Sequence, residues 1–190
     1  MRHFSRTISA FVTFCALVVA VSANGQTLSE RAAGVSGESF VRAFLGNCAQ
    51  NPGNFEIVID ASKAMNFKDL PEEMKPLLAP PDPDAKFVGF FADSGEGAPY
   101  FIGVSMGEIE AEKFVTCTIA NPYINTSEVV AALEIFAQLT RPDHDETAMG
   151  QRYRFWSTND WSQGSSISLT DAEPMGYGGA TLAMIAPSIE

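Results

Sequence analysis

The stretch "KFVGFFADSGEGAPYFIGVSMGEIEAEKFVTCTIAN" (Lys86 to Asn121) decides the fold class. It contains three runs rich in β-branched and aromatic residues, "KFVGFFAD", "PYFIGVSMGE" and "KFVTCTIAN". "SGEGA" (Ser94 to Ala98) and "EIEAE" (Glu108 to Glu112) separate them. Such runs joined by short Gly-rich or polar connections predict an antiparallel meander. Side chains alternate along a strand, so Val115, Cys117 and Ile119 share one face, with Cys117 looking inward if that face is covered.

Upstream the apolar period changes to that of helices. Phe40, Val41, Phe44, Leu45 and Cys48 recur at i, i+1, i+4, i+5 and i+8, one helical face, and "NPG" (Asn51 to Gly53) stops it. In "NFEIVIDASKAM", Phe55, Val58, Ile59, Ser62 and Met65 fit a second helix capped by Asn54, whereas "EIVI" alone reads as a short strand. "DLPEEMKPLL" suggests a helical turn with Pro71 at its first position, and "APPDPDA" (Ala79 to Ala85) a stiff connector.

Downstream, "NTSEVVAALEIFAQLT" is the clearest helix. Asn125 or Thr126 caps it, Val129, Leu133, Phe136 and Leu139 or Thr140 form its stripe, and Pro142 ends it. "QRYRFWST", "SSISLTD" and "ATLAMIA" then read as three strands. The expected architecture is α+β: two N-terminal helices, then β-β-β-α-β-β-β, with a mostly antiparallel sheet covered by helices on one face.

The first residues predict a secretory signal. Arg2, His3 and Arg6 precede an apolar run from Ile8 to Val21, and "VSA" (Val21 to Ala23) supplies a small-residue exit. The run is too short to span a bilayer, which needs about 20 residues. The expected organisation is a signal peptide over 1–23 cleaved after Ala23, a flexible leader over 24–35, and one α+β domain over 36–190. Cleavage removes Cys15 and leaves Cys48 and Cys117. Two cysteines outside the cytoplasm predict one disulfide, with the protein in the periplasm or secreted. No second apolar span follows, so no membrane insertion is expected after signal removal.

The whole chain has a net charge of −11, with 12 Lys and Arg against 23 Asp and Glu. Arg2 and Arg6 leave with the signal, so the remainder carries 10 against 23, a net −13. That balance disfavours nucleic acid and anionic membranes and suits a basic protein partner.

Catalytic signals are sparse. His144, the one histidine after the signal, sits in "RPDHDE" (Arg141 to Glu146), which reads as a polar loop after a helix end. With Asp143 or Asp145 it would be a general base in a hydrolase reading. The letters G-x-S-x-G occur only inside the strand run "PYFIGVSMGE" (Gly103 to Gly107), not at a strand-to-helix turn, and no CxxC or CxxH spacing is present, so no catalytic residue, metal ligand or cofactor is assigned. Trp161, flanked by Asn159 and Asp160 in "NDWSQG", is the candidate contact residue on a hairpin turn; its alternative is an indole folded back over the sheet edge. Asn125-Thr126-Ser127 matches a glycosylation sequon, which the helix cap explains more simply.

With its signal, "FLGNC" near a helix end, a second cysteine in "FVTCTIANP" and a late helix before three strands, the chain resembles small exported proteobacterial proteins of unassigned function. The resemblance implies an exported location and a disulfide, and carries over no catalytic residue. Two functions are expected from the sequence. One is an exported non-catalytic module, such as an acidic inhibitor, immunity or envelope-stress factor for a basic partner. The other is a small-molecule or glycan binder using the sheet face near Trp161.

Overall fold

The structure is a computed structural model that describes residues 35–94 and 99–189. The signal peptide, its cleavage site and nearly all of the leader lie outside the described residues, as does most of the Ser94–Ala98 turn. Val35, the last residue assigned to the leader, is buried in the core.

Ser36 starts the first helix: its hydroxyl accepts the Ser39 N–H, satisfying one orphan donor of α1 (Gly37–Phe44). The last turn widens into a π-turn, Leu45–Ala49, which carries Cys48. Phe40, Val41, Phe44 and Cys48 are all fully buried, as their spacing predicts. Asn54 caps α2 (Phe55–Ala64) by accepting from Ile57 N, and helix, not strand, is the outcome there. Asn125 likewise caps α3 (Thr126–Phe136) by accepting from Ser127 N. This helix ends at Phe136, short of Pro142, because Gln138 turns into the left-handed region at φ 55°. The Leu139 N–H then reaches back to the Leu133 carbonyl.

Among the described residues the sheet has eight antiparallel strands, two more than expected. They are β1 (Lys68–Asp69), β2 (Lys86–Ala92), β3 (Tyr100–Ile109), β4 (Glu112–Asn121), β5 (His144–Ala148), β6 (Gln151–Thr158), β7 (Ser165–Asp171) and β8 (Ala180–Pro187). Their spatial order is β1-β2-β3-β4-β8-β7-β6-β5. The element order is therefore α-α-β-β-β-β-α-β-β-β-β, a correction to the expected β-β-β-α-β-β-β. "RPDHDE" is no mere loop: its second half opens β5. That strand was hidden because both its sides face solvent, so no apolar alternation marks it.

Cross-strand registers line up the core. One row runs Phe90, Ile102, Ile119, Leu182, Leu169; the next runs Val104, Cys117, Met184, Ile167, Trp156. All ten are buried and belong to one cluster with the residues of α1, α2 and α3. The helices cover this inner face. The outer face is also partly covered, which the expected one-sided cover did not include. A 3-10 turn, Glu72–Leu77, with Pro71 as its N-cap rather than its first residue, follows β1. It brings Leu70 and Leu78 over β2 and β3. Gly89 and Gly103 make room, since a Cβ at Gly89 would lie 2.8 Å from a Leu70 methyl.

Two close approaches bind the layers. A Cβ on Gly37 would lie 2.4 Å from the Glu128 backbone, so α1 and α3 touch at a point only glycine fits. The Sγ atoms of Cys48 and Cys117 are 2.02 Å apart, joining the π-turn to a central strand.

Candidate functional site

The first inner row of the sheet does not end on an apolar residue. Beyond Leu169 it continues to Arg154 on β6 and Asp145 on β5. The adjacent row ends Asp171, Arg152, Thr147. Two arginines two residues apart on β6 must share a face, and here that face meets two aspartates. Arg154 Nη2 lies 2.7 Å from Asp171 Oδ2, with both side chains withdrawn from solvent. Arg152 grips Asp145 with two bonds, Nε to Oδ1 at 2.8 Å and Nη2 to Oδ2 at 2.7 Å.

The electrostatics follow from burial. Desolvation pushes the Asp171 carboxyl above its ordinary range, opposed by the Glu173 N–H it accepts and by Arg154. Desolvation likewise lowers Arg154, against the pull of Asp171; as a guanidinium it stays charged at neutral pH. Asp145 is held below its ordinary value chiefly by the hydrogen bond from Arg152, against a smaller desolvation effect. Buried Nε of Arg154 has no hydrogen-bond partner among the described residues.

β5 forms the end of the sheet. His144, Asp145, Glu146 and Thr147 are exposed. On the outer side the His144 Nε2 lies 3.1 Å from Glu146 Oε2. Asp143, just before the strand, anchors it to β6: its N–H donates to the Phe155 carbonyl, and its Oδ2 accepts from Ser157 N. An open depression lies alongside, lined by Asp145, Glu146, Thr147, Arg152, Glu173 and Pro174. Met149, at the tip of the β5–β6 turn, is 77% exposed.

The residues singled out in the sequence fall elsewhere. Trp161 is half-buried and packs against the core cluster, the folded-back arrangement. Asn159 Oδ1 accepts from Gly164 N, and the Asp160 N–H donates to Thr158 Oγ1, so both shape their own turn. None of the three lines the depression beside β5. His144 reaches Glu146. Cys48 and Cys117 are bonded to each other, which removes both as nucleophiles.

The charged cluster was missed, although a signal was present: "QRYRFW" places two arginines at strand spacing beside a core Trp156. A charge at a core position requires a partner. Asp171, read as the end of an ordinary strand, is that partner.

Among the described residues no helix is long and apolar enough to cross a membrane, and no three His, Cys, Asp or Glu side chains group as metal ligands would. No family model, curated protein or solved structure matches the chain.

Proposed function

We propose that this chain is an exported, non-catalytic binding module that captures a basic protein partner, as an acidic inhibitor, immunity or envelope-stress factor does. The excess of acidic over basic residues carries this reading, 23 against 12 in the whole chain. Pairing Arg152 with Asp145 and Arg154 with Asp171 cancels equal charge of each sign and leaves that excess unchanged. A bonded cysteine pair fits an oxidising compartment, which supports export to the periplasm or beyond. The exposed carboxylates then act at long range, steering a basic surface into encounter and repelling acidic ones.

The test is calorimetric titration of the disulfide-bonded protein with paired probes at low salt, one lysine-rich peptide and one glutamate-rich peptide of the same length. Binding of the lysine-rich probe alone is the expected result. Equal binding of both, or of neither, overturns the reading.

A further inference from the structure

We propose that β5 is the docking strand of this module: an extended lysine- or arginine-rich segment of the partner adds to the sheet as a new strand beside it. The proposal rests on the reading above that the partner is basic.

A sheet edge presents a row of backbone donors and acceptors that another strand can pair with. The described sheet has two such edges, and they differ. β1 has two residues, and after Leu70 N donates to the Gly89 carbonyl at 2.9 Å the chain folds over the outer face of β2. That edge is too short to serve as a template. β5 has five residues, four of them exposed, and no other described strand pairs with its outer side.

The side chains of β5 select the occupant. Directly opposed like charges destabilise a strand pair, whereas opposite charges stabilise it. A second copy of β5 would set the "HDE" acids against themselves, so the edge discourages self-pairing. A basic strand meets the opposite situation. Its side chains on the outer face would lie across from His144 and Glu146, and those on the inner face across from Asp145 and Thr147. The inner ones enter the depression whose far wall is Glu173 and Pro174. There Asp145 is already engaged by Arg152, which leaves Glu173 as the carboxylate facing a new cation on the inner side, while Glu146, 3.1 Å from His144, faces it on the outer side. Met149 offers an apolar contact at the strand end. Backbone pairing would supply the affinity and the carboxylates the choice of partner, the division of labour of strand addition.

The probe is a short peptide alternating lysine and valine, titrated into the disulfide-bonded protein. Two derivatives carry backbone N-methyl groups on alternate residues, one on each edge of the peptide. One derivative should bind at least about tenfold more weakly while the other stays within about threefold of the parent. Amide exchange should slow along β5. Glu146→Lys combined with Glu173→Lys should weaken the parent peptide at least about tenfold. If the peptide binds but both N-methylated forms bind equally well, strand addition is wrong and the basic-partner reading survives. If no lysine-rich peptide binds, both fall. A peptide-independent dimer that protects the β5 amides in sedimentation and exchange measurements would assign the edge to a second copy and overturn the proposal.

Discussion

Arg154 occupies a position that its own strand treats as core. It follows Leu169 across the sheet and is 5% exposed, so its charge is tolerable only because Asp171 lies 2.7 Å away. Removing one partner strands the other in a poorly solvated site, a loss of about 3–5 kcal/mol, whereas replacing both with apolar residues of like volume is far milder. Arg154→Met should therefore destabilise strongly in denaturant titration, and Arg154→Met with Asp171→Leu should recover much of the loss. Equal losses in the single and double variants would contradict the buried pair. Asp145 is different, because it is partly exposed and its pKa is lowered by Arg152. A depressed carboxyl contributes stability above its ordinary value of 3.8, and that contribution disappears as pH falls through the folded value. Asp145→Asn should cost up to about 1 kcal/mol at neutral pH, given solvent screening, and nothing once the pH has fallen below the folded value. A pH-independent difference would show that the bond to Arg152 contributes no charge-dependent stability. At this scale the sequence was legible where one residue type sufficed. Phe40, Phe44 and Cys48 could be placed by spacing alone, but the partner of an arginine depends on register, which spacing does not supply.

Among the elements, the two strands that escaped notice share a physical cause. β1 is two residues long, and β5 is "HDETA", which has neither apolar alternation nor strong strand propensity. Tertiary pairing with β6 makes β5 a strand. The one local signal was Met149-Gly150, both at positive φ (52° and 81°) between two paired segments. A two-residue loop with both residues left-handed matches the twist of a hairpin. The β3–β4 hairpin uses the same geometry with worse residues, Glu110 and Ala111 at φ 52° and 66°. Both carry a Cβ that the left-handed region penalises. Ala111→Gly should stabilise the protein by about 0.5–1 kcal/mol in thermal or denaturant unfolding; a loss of stability would contradict the backbone geometry of that turn. The helices were easier to find, since their caps at Asn54 and Asn125 and their apolar stripes are local properties.

For the whole molecule, the chain builds a helical segment followed by four antiparallel strands, and then does so again. The last strand of each half, β4 and β8, pair at the centre of the sheet. The Gly37–Glu128 contact joins the helices of the two halves, and Cys48–Cys117 fastens the first helical layer to β4. The disulfide closes a loop with a sequence separation of 69, worth roughly 4 kcal/mol in the chain-entropy account. Replacing both cysteines with alanine should lower unfolding free energy by about that amount; an unchanged midpoint would mean that the bond does not form in the protein. Architecture class and disulfide could both be inferred from patterning and compartment. The docking edge could not, because it exists only once β5 is placed last in the sheet. The central claim, that acidic charge recruits a basic partner, is tested most directly by the salt dependence of capture. Affinity for the lysine–valine peptide, measured from about 50 to about 500 mM salt, should fall at least about tenfold as screening shortens the reach of the carboxylates. Affinity that does not change across that range would contradict the claim.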